Sequence, residues 1–171
     1  MVNLEKEIDV LRKDLALTAD FNLPDFFNFF SQGKNLIGPK EIQKGLKHIL
    51  NPQRHEIYLL IRRFDFDNDN KLCKDEFSDI FVSRNEEFGQ ILTSRKGYLK
   101  SYPDCIHDVF NSETISLLKE FFQICLENEA ACEALKQRLN KRKNFNFKNL
   151  FIQLDYDEDG VLSVLDVITQ L

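Results

Sequence analysis

The feature that most constrains the fold is the spacing of acidic residues in the segment DFDNDNKLCKDEF at residues 65–77. Counted from Asp65 as position 1, carboxylates occupy positions 1, 3, 5 and 12. Two carboxylates about 4 Å apart repel each other by roughly 1 kcal/mol even in water, so we expect a cation among them. The residue at position 7 would contribute its backbone carbonyl, and Cys73 at position 9 would act through a water molecule. The predicted ligands are Asp65, Asp67, Asp69, Lys71 and Glu76.

Residues 65–76, the first acidic loop, match the twelve-residue calcium loop of the EF-hand superfamily, which needs hard oxygen ligands at these positions and a helix on each side. Helical segments are predicted on both sides. The loop departs from the pattern at position 6, where Asn70 replaces glycine. Asparagine tolerates the left-handed backbone of that turn better than most residues. The alternative is an acidic loop that is only solvated.

A second acidic loop, DYDEDGVLSVLD at residues 155–166, repeats the spacing and has glycine at position 6. Asp166 stands at position 12 in place of glutamate and reaches about 1.5 Å less far, because it lacks one methylene. Bidentate coordination becomes harder, so we expect weaker Ca²⁺ binding or a larger share for Mg²⁺. The predicted ligands are Asp155, Asp157, Asp159, Val161 and Asp166.

Residues 31–41, the neutral loop, lie in a similar helix–loop–helix pattern, but Ser31, Gly33 and Asn35 replace the acids and the loop is one residue short. It is not expected to bind calcium tightly. Ile37 and Leu72 are 35 residues apart, a separation that suits the pairing positions of two adjacent EF-hands. We therefore predict that the neutral loop pairs with the first acidic loop; an unrelated helical hairpin is the alternative.

The sequence contains a partial duplication in which residue n aligns with residue n+124. Phe21 aligns with Phe145, Asn22 with Asn146, and helix 4–17 with residues 128–141. The neutral loop corresponds to the second acidic loop, after which no partner hand follows in the sequence. The hand at 145–171 is therefore expected to lack a partner and to dock onto a second protein, a copy of this chain or a continuation of it, because exposed apolar patches usually mark interfaces. The residues expected to be uncovered are Phe147, Leu150, Phe151, Leu154, Leu162, Val164, Leu165 and Ile168.

Apolar residues recur at helical spacing through most of the chain and strand signals are nearly absent, so an all-α fold is predicted. The predicted organisation is an EF-hand pair with an N-terminal helix at 1–92, a linker at 93–111, a helical spacer at 112–144 and an unpaired EF-hand at 145–171. The linker assignment depends on a lapse of the apolar pattern around Gly97 and Pro103.

Composition restricts the classes of function. The net charge of −5 argues against nucleic acid as the main partner, and no apolar run approaches the roughly 18 residues of a membrane helix. The start of the sequence does not resemble a signal peptide, and the four cysteines include no CxxC pair. These features predict a cytoplasmic protein in a reducing compartment, with no membrane partner and no zinc site. No set of residues suggests an enzyme.

The segments FGQILTSR and VFNSETISLLKEFFQICLENEAACEALKQRL resemble the linker modules of repeat-bearing EF-hand proteins of cilia and flagella, including those on the inner wall of doublet microtubules. The resemblance implies a structural, scaffolding role on a ciliary axonemal microtubule assembly. Here, however, one hand is silent and only one and a half pairs are present. The basic segments TSRKGYLKSY and LKQRLNKRKNFNFK suit an acidic surface such as tubulin or another axonemal protein, although each could equally be a solvated surface.

The alternative is a soluble cytosolic calcium sensor or buffer that acts on a target protein. A sensor of this type grips its targets with a flexible, methionine-rich groove. This chain has 16 phenylalanines and one methionine, the initiator. Stiff aromatic side chains favour one fixed packing over adaptable recognition, so the sequence favours the structural role.

Overall fold

The computed structural model describes residues 2–170, and the side chains of these residues except Val2, Val164 and Gln170. The predicted all-α fold is confirmed: within the described residues there are helices and one isolated β-bridge, and no strand. No helix in this range is long and apolar enough to cross a membrane. The α-helices are α1 (Val2–Leu17), α2 (Leu23–Ser31), α3 (Pro39–Leu46), α4 (Arg54–Phe64), α5 (Lys74–Asp79), α6 (Glu86–Thr93), α7 (Ser112–Asn140), α8 (Phe147–Leu154) and α9 (Val164–Gln170), and a 3₁₀ turn covers Ile106–Asp108.

Helices α2 and α8 begin in the same way because the duplication preserves their capping residue. The side chain of Asn22 accepts a hydrogen bond from the backbone N–H of Asp25, and that of Asn146 accepts one from Lys148. Asparagine is favoured at this position because it satisfies a free N–H group of the first turn. Helix α3 ends at Leu46, and residues 47–49 form a turn in which the N–H groups of Ile49 and Leu50 bond to the carbonyl of Leu46.

The chain divides into two compact units, Met1–Cys132 and Glu133–Leu171. The core of the first unit is a cluster of phenylalanines around Phe26, which is fully buried. Aromatic pairs of this kind add about 0.5–1.5 kcal/mol beyond the burial of apolar area. The rings with centroids 5.0–6.3 Å from that of Phe26 are Phe21, Phe30, Phe77, Phe81, Phe110 and Phe122.

Residues 93–132 belong to this first unit, so its boundary falls inside the segment that the sequence suggests as a spacer. The guanidinium of Arg95 donates hydrogen bonds of 2.6 Å to the carbonyls of Ala16, Thr18 and Phe21 at the end of α1. In α7, the ring of Phe121 lies 5.0 Å from that of Phe81. The first half of α7 therefore completes the core.

A polar cluster joins α1, α4 and α7. Arg63 donates hydrogen bonds to Glu5 at 2.8 Å and to Glu129 at 2.5 Å. Asn128 donates a further hydrogen bond to Glu5 at 2.6 Å. Hydrogen bonds between charged groups are shorter and stronger than neutral ones. The cluster fixes α4, the helix that leads into the first acidic loop, to α1 and α7.

The second unit contains α8, the second acidic loop and α9, and α8 has no buried residue. The rings of Phe145 and Phe147 are in edge-to-face contact at 4.8 Å. Apart from Val164, whose side chain lies outside the described residues, most of the apolar residues predicted to be uncovered are exposed, and Leu154 is half-buried. The exposed ones are Phe147, Leu150, Phe151, Leu162, Leu165 and Ile168.

Candidate metal centre

The first acidic loop connects α4 to α5. Asp65 directly follows α4, and its backbone N–H still bonds to the carbonyl of Ile61 at 2.9 Å. Asn68 and Asn70 then take left-handed conformations, with φ of 61° and 63°. Asparagine is among the few residues other than glycine that adopt this conformation readily. The substitution at position 6 therefore leaves the turn intact.

Backbone N–H groups orient the carboxylates at both ends of this loop. The N–H groups of Asp69 and Asn70 donate to the two oxygens of Asp65 at 3.1 and 2.9 Å. Those of Phe66 and Cys73 each donate to Glu76 at 2.9 Å. Backbone hydrogen bonds therefore fix the orientation of the carboxylates at positions 1 and 12.

Three of the predicted ligands meet within the loop. Asp65, Asp67 and Glu76 each offer a carboxylate oxygen, and these oxygens lie within 4.8 Å of one another. Asp65 and Glu76 are buried, whereas Asp67 is exposed. Asp69 lies outside this group, and its Oδ1 accepts a hydrogen bond of 2.7 Å from the backbone of Lys71.

The loop shifts the pKa values of two of these carboxyls in opposite directions. Desolvation raises the pKa of Glu76, but the backbone N–H groups of Cys73 and Phe66 outweigh it and lower the pKa below its ordinary value. For Asp67, a hydrogen bond from the backbone of Asp69 lowers the pKa, while desolvation and the neighbouring negative charges raise it above its ordinary value. The fold therefore stabilises the negative charge of Glu76 at position 12, whereas the neighbouring negative charges destabilise that of Asp67 at position 3.

The second acidic loop shares four internal hydrogen bonds with the first, although its sequence differs. Position 5 donates to position 3, position 6 to position 1, position 7 to position 5, and position 9 to position 12 in both loops. The left-handed residues also fall at positions 4 and 6, here Glu158 with φ of 56° and Gly160 with φ of 82°. The two loops, which differ in sequence, therefore share these hydrogen bonds and left-handed turns.

In this loop, Asp155, Asp157 and Asp159 bring carboxylate oxygens within 4.8 Å of one another. Oδ1 of Asp155 is buried and accepts no hydrogen bond from the described residues, which leaves a carboxylate oxygen available to a cation. Asp166 lies outside this group. Its Oδ2 accepts a 2.7 Å bond from the backbone of Ser163.

Hydrogen bonds from the side chain and backbone of Ser163 hold the pKa of Asp166 below its usual range. Asp166 caps α9 as Glu76 caps α5, but unlike Glu76 the shorter side chain does not join the group of three carboxylates. Val161 is a predicted ligand through its carbonyl, and its N–H donates to Asp159 at 2.7 Å.

The neutral loop has a cationic side chain next to its single acid. The ammonium of Lys34 lies 3.0 Å from Glu41, whose other oxygen accepts a bond from the backbone of Gly38. The predicted pairing of this loop with the first acidic loop is present, because Ile37 and Leu72 form an antiparallel bridge with N···O distances of 2.9 and 2.8 Å.

Sequence reasoning missed the left-handed residue at position 4 of each acidic loop. Asn68 gives a weak signal for it, since asparagine favours this conformation, but Glu158 gives none. It also missed Lys34 as the partner of Glu41.

Among residues 2–170, the two acidic loops are the places where three or more potential metal-binding side chains converge. No protein-family model, curated protein or solved structure matches this chain. Function is therefore inferred from these two loops and from the surfaces around them.

Proposed function

We propose that this chain is a calcium-binding protein of the EF-hand type with a structural role. The observation that carries the proposal is the geometry shared by the two acidic loops, in which four equivalent hydrogen bonds orient the carboxylates of two different sequences. Crowding carboxylates is unfavourable without a cation. Aspartate and glutamate oxygens at these positions are the ligands that Ca²⁺ prefers.

The first acidic loop is the stronger site in this proposal. Asp65, Asp67, Asp69 and the carbonyl of Lys71 would bind the ion, and Glu76 at position 12 would supply two oxygens. The second acidic loop would bind more weakly, or bind Mg²⁺ in part, because Asp166 is one methylene shorter than glutamate and lies outside the group of converging carboxylates. The neutral loop, with Lys34 beside Glu41, would act as the silent member of an EF-hand pair.

Calorimetry with two variants tests the ranking of the sites. Glu76→Gln keeps the size of the side chain but removes the charge at position 12, so most high-affinity Ca²⁺ binding should disappear. Asp166→Asn should remove only a weaker component. Glu127→Gln, an exposed acid on α7, serves as the control. Loss of the tighter phase in Asp166→Asn would contradict the ranking, and unchanged binding in both variants would contradict the proposal.

The structural role, rather than that of a sensor, is supported by the packing of α7. A sensor opens an apolar groove for a target helix when it binds calcium. Here the core of the first unit already receives Phe121 and Phe122 from α7, and both are buried. Their rings lie 5.0 and 5.8 Å from that of Phe81. The protein's own helix thus takes up the apolar surface that a target would need.

The proposed location is the cytoplasm, on the microtubule assembly of a ciliary or flagellar axoneme, with a protein partner covering the second unit. Support comes from the resemblance of the spacer segments and from the exposed basic residues Lys136, Arg138, Lys141, Arg142 and Lys143, which suit an acidic surface such as tubulin. In the other basic segment, Arg95 is already engaged by three carbonyls. That segment therefore offers less charge to a partner.

Fractionation of axonemes tests this location. A structural component should remain after detergent treatment and leave only with strong salt or denaturing extraction. A charge-reversal variant at Lys141 and Arg142 should leave at lower salt, because exposed charge pairs are screened by ions. Release by detergent alone would favour the cytosolic sensor or buffer.

A further inference from the structure

The helix–loop–helix of the second unit, residues 147–170, is equivalent to both members of the pair in the first unit. It aligns with residues 57–80 at a constant offset of 90, which superimposes the two acidic loops and places Leu162 on Leu72. It aligns with residues 23–45 through the duplication, which places Leu162 on Ile37. Leu162 is therefore equivalent to both residues of the Ile37–Leu72 bridge.

Burial differs between the two units at these equivalent positions. In the first unit, Leu60, Leu72 and Phe77 are at most 1% exposed. Their equivalents in the second unit are Leu150 at 38%, Leu162 at 38% and Val167 at 36%. The equivalent positions are apolar in both units, but they are uncovered in the second unit.

In the first unit, the cover for this face is another helix–loop–helix. Ile37 and Leu72 exchange two backbone hydrogen bonds, and the ring of Phe77 lies 5.6–5.7 Å from those of Phe26, Phe27 and Phe30. The neutral loop and the first acidic loop are occupied by each other. The structure therefore shows that a helix–loop–helix can cover this face. The second unit is itself a helix–loop–helix, so another copy of it can provide that cover.

We propose that residues 147–170 pair with the same residues of a second copy of this chain about a two-fold axis. Leu162 of one copy exchanges backbone hydrogen bonds with Leu162 of the other, as Ile37 does with Leu72. An interface of this kind is self-complementary, because each copy presents the same patch. The pairing buries Leu150, Phe151, Leu162 and Val167 on both sides.

The pairing is strengthened by calcium, a point that rests on the proposed function. Two second acidic loops side by side bring together ten carboxylates, five from each copy: Asp155, Asp157, Glu158, Asp159 and Asp166. Like charges held close together repel, and a bound cation in each loop removes most of that repulsion. This repulsion is smaller in the first unit, because the neutral loop has one acid, Glu41, and pairs it with Lys34.

Sedimentation equilibrium of the full chain in Ca²⁺ and in EDTA tests the proposal. We expect a monomer–dimer equilibrium whose dissociation constant is about tenfold lower in Ca²⁺. Leu162→Asp should weaken the dimer by more than tenfold. The matched control is Ile152→Asp: Ile152 is exposed but aligns with Arg62, which is exposed in the first unit. This control should leave the equilibrium unchanged.

A cross-linking measurement covers the possibility that Leu162→Asp unfolds the segment. Residues that exchange both backbone hydrogen bonds have Cα atoms about 5.5 Å apart, which is within the range of a disulfide. Leu162→Cys should form a disulfide-linked dimer with oxidised glutathione, in excess of the unsubstituted chain with its four cysteines. Ile152→Cys should not.

A monomer across micromolar concentrations in Ca²⁺, with no excess cross-linking of Leu162→Cys, would overturn the proposal. Hydrogen exchange on that monomer would then distinguish two explanations. Protection of residues 147–170 would show that another part of the chain covers them, and no protection would show that they need a different protein as a partner. Calorimetry on the same sample separates this result from the proposed function, because a monomer that binds Ca²⁺ contradicts only the pairing. A dimer that binds no Ca²⁺ would support the pairing and contradict the proposed function.

Discussion

Asn70 occupies the sixth position of the first acidic loop with φ of 63°, a conformation that most side chains avoid. Its backbone N–H donates to Asp65 at 2.9 Å, and the equivalent Gly160 donates to Asp155 at 3.0 Å. In each loop the left-handed turn directs this N–H to the carboxylate at position 1. One residue with an unusual backbone therefore fixes the orientation of a carboxylate five positions away.

Substitution of Asn70 should affect Ca²⁺ binding through this turn alone. We expect Asn70→Ala to weaken binding by about 1 kcal/mol, because alanine is strained in the left-handed region. Asn70→Gly should bind at least as well as the unsubstituted chain. Calorimetry on the two variants measures the difference, and equal affinities would show that the turn is not the limiting element.

Glu5 is a second residue whose charge matters for the fold. Hydrogen bonding and charge from Arg63 lower the pKa of Glu5, with desolvation opposing them. A lowered pKa in the folded state means that the stabilisation is fully present above the unfolded value near 4.5 and is lost as pH falls through the folded value.

Glu5→Gln should lower the free energy of unfolding at neutral pH by about 1.5 kcal/mol, the low end of the range for hydrogen bonds to charged groups, because Glu5 is only partly buried. The difference from the unsubstituted chain should shrink as the pH falls below the unfolded value near 4.5 and through the lowered pKa of the folded state. Glu7→Gln, an exposed acid on the same helix, is the control. Urea unfolding at neutral and acid pH measures both, and a pH-independent difference would contradict the ion pair.

Packing between α2 and α3 depends on a glycine. A Cβ on Gly45 would overlap the ring of Phe30, which is buried between Phe26, Phe29 and Phe77. Glycine is a poor helix former, by about 1 kcal/mol relative to alanine. The close approach of the two helices outweighs that preference.

Gly45→Ala should therefore destabilise the protein although it improves helix propensity. Overpacking of a core by one methyl group costs about 1–3 kcal/mol, against a gain of about 1 kcal/mol in propensity. We expect a lower urea midpoint with an unchanged slope. Gly89→Ala is a comparison on α6, where the nearest side-chain atom is 3.3 Å from a Cβ; a stabilised Gly45→Ala would show that Phe30 can move.

Helix α7 belongs to the core over its first half. Phe122→Ala should destabilise the first unit by about 3–5 kcal/mol, the range for removal of a buried aromatic ring. Leu135→Ala, on the same helix but outside this unit and partly exposed, should change stability by about 0.5 kcal/mol or less. Similar small effects of both substitutions would mean that α7 is a separable spacer.

At the scale of the whole molecule, calcium should order the first acidic loop without exposing a new apolar surface in the first unit. The reason is that Phe121 and Phe122 already fill its core. Asp155→Asn in the full chain should remove most of the metal binding that we propose for the second unit, so the remaining response would come from the first. Fluorescence of a dye that binds apolar surface should then rise little on addition of Ca²⁺, and a large rise would favour the sensor.

The sequence alone predicted the all-α fold, the two acidic loops and the pairing of Ile37 with Leu72, because these depend on local periodicity and on spacings within and between neighbouring loops. It also indicated the equivalence of Asn22 and Asn146, since a duplication preserves local capping. Only the tertiary structure showed that residues 93–132 complete the first core, because a lapse in periodicity cannot show what Arg95 binds. It alone placed Glu158 in a left-handed turn and Asp69 outside the group of convergent carboxylates, because those outcomes depend on how the chain closes around the loop.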